Sequence, residues 1–389
     1  MEFTFTDEQA MIRDTADAFL AEVSTSEAVR SAMVTELGYD PQLWQRLCGE
    51  MFWQAILVPE EYGGMGLGYV ELVATLEQMG RHLFCSPFFA TVCLGANALL
   101  LAGTAEQKAL YLPRIVEGTT ATLAYTGTSG RWDAAAVELE CVRDGDGYRL
   151  EGTCRFVPDG HSAELLVVAA REPGSTDEAG ISLFVLPADS RGISREWLPT
   201  MDQTRKQGQL VFEGVAAGAE TVMGEAGHAW PALSRIIDLA TVAIAADQVG
   251  GSQQALDSTV AYLQERVQFG RVIASYQAVK HKCADMMLKV EAARSAVYYA
   301  ACIVDEALRG GTLGDELPEA ASVAKAYCSD AYFHNAGTGI QLHGGVGFTA
   351  EYDIQLYFKR AKSTETFLGN SAWHRERLAA RLLDEEVPA

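Results

Sequence analysis

The stretch Gln341–Arg360, QLHGGVGFTAEYDIQLYFKR, decides how the rest of the chain is read. Its paired glycines, Gly344 and Gly345, follow directly on an apolar run with helical spacing. Backbone without side chains lets a flat or phosphorylated ligand come close. Upstream lies Glu265–Lys282, ERVQFGRVIASYQAVKHK, with Arg266, Phe269, Gly270 and Gln277 between two further helical segments.

Working outward, the chain of 389 residues is long enough for several domains and a large core. Its 52 acidic and 30 basic residues give a formal net charge of -22. Such a surface repels nucleic acid and anionic lipid, so neither is expected as a partner. The eight cysteines form no Cys-x-x-Cys pair and no zinc spacing with histidine. They read as reduced, mostly buried thiols of a cytoplasmic protein. The opening MEFTFTDEQAMIRD lacks the basic and apolar regions of a leader. No apolar run reaches the roughly 18 residues of a membrane span.

Residues 1–118 read as helical. Thr6 with Gln9, and Thr104 with Gln107, are helix-start signatures, and Pro41 begins a helix between them. Residues 119–225 alternate short apolar strands with turns, among them the hairpin signal Asp144–Gly147, and predict an antiparallel β domain. From 226 to 389 the spacing predicts a bundle of four long helices: from Pro231 to about Gln268, Tyr276–Arg309, Glu319–Leu342, and one from Tyr352. The fold class is therefore α+β, with an N-terminal helical domain, a middle β domain and a C-terminal four-helix bundle.

This order, with the two quoted motifs, resembles the acyl-CoA dehydrogenase family, flavoproteins that oxidise the Cα–Cβ bond of a CoA thioester. The resemblance spans essentially the whole chain and implies FAD. It places Arg266 on the flavin diphosphate of a neighbouring subunit, with Phe269 packed beside it. A guanidinium suits a diphosphate because its planar fork donates two hydrogen bonds at once. Gln277 corresponds to a residue near the adenine end, and Gln341, Gly344 and Gly345 to a cradle for the adenosine diphosphate. Thr126 matches the strand end that bonds the flavin pyrimidine edge, and Phe156 an aromatic beside the ring. Departures cluster here: Gly127 replaces an acidic residue, and Pro158 replaces a threonine that donates near flavin N5.

The reaction needs a carboxylate to take the α proton. The two positions that hold it in the family are Leu368 and Ala240 here. Asp247 lies seven residues after Ala240, about 700° around a helix, and so faces nearly the same way. An acid in the apolar run LATVAIAADQVGG would be partly desolvated and made more basic, so Asp247 is the proposed base. The other reading is a buried aspartate bonded to a neighbouring helix. Glu365 is a second candidate, opposed by an ion pair with Lys362 or Arg360. Thr241 stands where an arginine gripping CoA phosphate is common. The clusters Lys280–Lys282 or Lys359, Arg360 and Lys362 could replace it.

The uneven retention resembles the branch found in bacterial steroid and bulky acyl-CoA catabolism, where homologous chains form a heterotetramer. The resemblance implies an acyl-CoA substrate, an electron-transfer flavoprotein as acceptor, and a homologous subunit. Three functions stay open: a dehydrogenase using Asp247, a chain that completes the FAD site of a homologue, or a flavin enzyme of the same fold acting on something other than an acyl-CoA.

Overall fold

The computed structural model describes residues 6–384. Residues 1–5, on which the reading of no leader partly rests, lie outside them. Six helices come first: α1 (Asp7–Val23), α2 (Ser26–Met33), α3 (Pro41–Arg46), α4 (Tyr69–Arg81), α5 (Asn97–Ala102) and α6 (Ala105–Val116). Both expected capping boxes form: the Thr6 side chain accepts from Gln9 N, and that of Thr104 from Gln107 N. Asp40 caps α3 ahead of Pro41.

Eight strands follow: β1 (Ala121–Ala124), β2 (Glu140–Asp144), β3 (Gly147–Pro158), β4 (Leu165–Arg171), β5 (Ile181–Pro187), β6 (Ile193–Leu198), β7 (Gln207–Ala217) and β8 (Val222–Met223). They form one sheet in the order β6-β7-β3-β2-β4-β5-β8, with β1 on β4. The sheet is mostly antiparallel, but β1 and the end of β2 run parallel to β4. β3 is one long strand with a bulge between Cys154 and Val157, where the sequence reads as two strands. Asp144 pairs with Gly147 across the expected hairpin.

The C-terminal part begins with α7 (Trp230–Glu265), which ends before Gln268 because the chain turns into a small hairpin, β9 (Val267–Gln268) and β10 (Arg271–Val272). α8 (Gln277–Leu308), α9 (Leu317–His343), α10 (Ile354–Thr366) and α11 (Ser371–Asp384) complete it, and Phe367–Asn370 breaks the expected last helix in two.

Two compact units result. One holds residues 31–68 and 85–240, with the sheet packed around Leu150, Val168, Phe184 and Phe212. The other holds, among the described residues, 6–30, 69–84 and 241–384. In it α4 lies so close to α7 that a Cβ on Gly80 would sit 2.0 Å from Asp247 O, and one on Gly250 1.7 Å from Glu77 O. Only glycine permits that approach. Arg294 Nε on α8 bonds buried Glu77 at 2.9 Å, and its Nη2 reaches Gln253 Oε1 on α7 at 2.9 Å.

Candidate functional site

One end of the bundle gathers the residues of both quoted motifs. Tyr262, on the last turn of α7, stacks on His343 at 4.3 Å and donates to His343 O at 3.2 Å. This contact joins the C-terminal ends of α7 and α9, from which the hairpin and the Gly344–Gly345 pair respectively follow. The hairpin turn is Phe269-Gly270, with φ of +52° and +82°. Two left-handed residues match a twist-compatible two-residue hairpin, but the first position normally takes Asn, Asp or Gly. Phe269 sits there strained and 93% exposed. Arg266 and Gln277 are exposed beside it, and the Arg271 guanidinium lies 3.9 Å over the Tyr276 ring.

Gln341, Gly344 and Gly345 are also exposed. A Cβ on either glycine would meet nothing within 4 Å, so backbone and space are both open. Gln341 further lines an open groove of about 560 Å³ with Lys282, Lys289, Phe333 and His334. Burial, then Lys289 and Lys282, holds the His334 pKa below its ordinary value. An exposed guanidinium, an exposed aromatic and an uncovered glycine pair fit the adenosine diphosphate end of FAD.

The sheet unit does not fit the flavin ring in the same way. Thr126 is buried, and its hydroxyl donates to Arg155 O at 2.6 Å. Phe156 has φ +57°, is 38% exposed, and lies 5.4 Å beneath the Arg155 guanidinium. Pro158 O already accepts from the Thr122 hydroxyl at 2.6 Å.

The positions considered for the base are closed. Ala240 is fully buried. Leu368 is 1% exposed with φ +59°. Burying a leucine is worth about 2 kcal/mol, which offsets the roughly 1–2 kcal/mol of a left-handed backbone. The loop is then pinned from two sides. Buried Lys325 donates to Glu365 O at 3.0 Å and Gly369 O at 2.8 Å, and His374 Nε2 donates to Leu368 O at 2.9 Å. Burial pushes the Lys325 pKa down to about 7; burial, then Lys325, pushes that of His374 down to about 3.

Asp247 is not the partly open acid expected from sequence. It is 1% exposed, and its Oδ1 accepts from Arg360 Nη1 on α10 at 3.2 Å, Arg360 being equally buried. The same pair removes Arg360 from the candidates for CoA phosphate. Glu365 accepts from Lys362 Nζ at 2.7 Å, the ion pair anticipated for it.

Lys325 and Glu138 escaped the sequence reading. Lys325 was visible as a lone cation in the apolar run SVAKAYCS. Glu138 was visible only to a search for an acid that could replace the one missing at Gly127.

Three family descriptions cover the chain: acyl-CoA dehydrogenase N-terminal domain over residues 6–119, middle domain over 122–215 and C-terminal domain over 227–383. Acyl-CoA dehydrogenase IpdE2 of Mycolicibacterium smegmatis is 32% identical over 376 residues, 97% of this chain and 99% of its own length. The Tcur3481-Tcur3483 steroid ACAD variant structure is similar with a TM-score of 0.84 and 33% identity, covering 97% of this chain and 98% of that one. The ChsE4-ChsE5 complex from Mycobacterium tuberculosis matches with a TM-score of 0.88 at 28% identity, covering 100% of both chains. With three consecutive domain matches and a relative this similar over nearly its whole length, the chain belongs to the acyl-CoA dehydrogenase family.

Proposed function

We propose that this chain is a subunit of an FAD-dependent acyl-CoA dehydrogenase, and that it completes the flavin site of a homologous chain carrying the base. The Asp247–Arg360 pair is the observation that carries this reading. With Leu368 and Ala240 at the two family positions, Asp247 was the remaining acid on the expected face of α7, and it is committed to holding Arg360. A carboxylate buried against a guanidinium is expensive to uncover, so it is poorly placed to meet a substrate.

Phe269 supports the other half of the proposal. It carries backbone strain and leaves an aromatic ring in water, 93% exposed among the described residues. Contact with a flavin seated in another chain would offset both. Arg266 would then hold the diphosphate bidentately, with Gly344 and Gly345 allowing close backbone approach and Gln341 and Gln277 bonding toward the adenosine. Bound FAD supplies the hydride-accepting chemistry. The homologous chain supplies the proton acceptor and the flavin-ring contacts.

The substrate proposed is a CoA thioester with a bulky acyl group, of the steroid side-chain type, in keeping with the likeness to the Tcur3481-Tcur3483 steroid ACAD variant. Reduced flavin would pass electrons to an electron-transfer flavoprotein.

The test is a mixed complex with a homologous chain. Arg266→Ala in this chain should lower both FAD retention and turnover. Asp247→Asn should leave turnover per folded, flavin-loaded complex unchanged. A folded, flavin-loaded Asp247→Asn complex without turnover would restore Asp247 as the base and overturn the proposal.

A further inference from the structure

The loop Thr126–Ser129 is closed on itself. Thr126 O accepts from Arg155 N at 2.9 Å, and the Thr126 hydroxyl donates back to Arg155 O at 2.6 Å. Gly127 N donates to Ala136 O at 2.9 Å. The Glu138 carboxylate takes three more donors. Its Oε2 accepts from Thr128 N at 2.7 Å and from the Thr128 hydroxyl at 2.8 Å, and its Oε1 accepts from Ser129 N at 2.8 Å. Every N–H from 127 to 129, and the hydroxyls of Thr126 and Thr128, are thus spent within the unit.

The geometry at Gly127 is equally telling. A Cβ there would lie 2.3 Å from Glu138 Cδ. Glu138 therefore stands where an acidic side chain on residue 127 would have to begin. The acid that bonds the loop comes from residue 138 and not from residue 127. Desolvation would raise the Glu138 pKa, but hydrogen bonds from Ser129 and Thr128 prevail and hold it at about 2. At neutral pH the loop is covered by an anion bound through charge-assisted hydrogen bonds, which a neutral ring edge competes with poorly.

We infer that Glu138 is a latch over this chain's own flavin edge, which keeps the N–H groups of Thr128 and Ser129 and the Thr128 hydroxyl from FAD. This rests on the reading of a flavin shared with a homologous chain and adds a physical reason for it. The chain does more than lack flavin-ring contacts, for it uses the donors that remain on itself. The relevant groups facing the loop are the backbone of Arg155 and Ala136 and the Glu138 carboxylate, while Asp133 is engaged by Arg131.

Hydrogen exchange of the peptide Tyr125–Asp133 in the full-length protein tests the latch. Saturating FAD should leave exchange of this peptide unchanged. Glu138→Gln, which keeps shape and removes charge, should speed it roughly tenfold. Slower exchange on adding FAD to the wild-type protein overturns the latch, as does a folded Glu138→Gln protein that exchanges no faster. The shared-site reading fails separately: one FAD retained per chain by the protein alone, with this peptide unprotected, sinks that reading and leaves the latch standing.

Discussion

At the scale of single residues, the same acid type serves two different ends. Asp247 is dry and paired, so its value lies in Arg360. Removing one member of a buried ion pair leaves an uncompensated charge, and Asp247→Asn should destabilise the protein by about 3 kcal/mol. Denaturant unfolding measures this; a change below about 0.5 kcal/mol contradicts the pair's structural role. Glu138 is only partly buried and tied by hydrogen bonds. Its folded pKa lies below its unfolded one, so its contribution is present above pH 4.5 and fades as pH falls toward about 2. After discounting for solvent, Glu138→Gln should reduce stability by about 1–2 kcal/mol at pH 7, with the difference shrinking below pH 4.5. Unfolding curves at pH 7 and pH 3 decide it. For Asp247 the sequence left two readings open, and for Glu138 it offered none. Asp247 in LATVAIAADQVGG is equally compatible with a desolvated base and a buried pair, because its partner on α10 lies over a hundred residues away.

Among the elements, helices and strands were the legible part. The capping boxes at Thr6 and Thr104 and the long apolar periods fixed helix starts closely, since both are local effects. What escaped depended on neighbours. The bulge in β3 is a product of pairing with β7, and the short β6 carries the pattern ISREWL, too polar to read as strand without its partner. On the proposed reading, the hairpin after α7 serves a flavin held in another chain. Phe269→Asn should relieve left-handed strain and raise stability by about 1 kcal/mol while weakening FAD retention in a mixed complex. Loss of stability with FAD retention intact would show the ring to be structural. On α9, Lys325 pins the loop Phe367–Asn370 through carbonyls. Lys325→Met leaves those carbonyls without their donor and should destabilise by about 2–3 kcal/mol. Because the folded lysine pKa is lowered to about 7 from 10.5, the wild-type protein binds fewer protons folded than unfolded between those values. This lysine's contribution to stability therefore rises with pH above about 7, and the Met variant should lose that slope in unfolding measured from pH 7 to 8.5.

For the whole molecule, the sequence conveyed the α+β class and the family, because both are spread over many weak, periodic signals that agree with one another. It conveyed the candidate site unevenly. The adenosine-end residues sit in two short motifs and were legible one by one. The flavin-ring side was legible only as departures, and a departure does not say what replaces the missing group. In the structure the replacements are a buried leucine at 368, a paired acid at 247 and the Glu138 carboxylate over the loop at 127. Together they support the proposed reading, a chain that presents half of a flavin site and closes the other half. The central claim is tested most directly by the visible spectrum and FAD content of this protein purified alone, with folding checked by circular dichroism. The account predicts a folded chain with little or no flavin. A folded chain carrying one FAD per subunit would contradict it and return the single-chain dehydrogenase to first place.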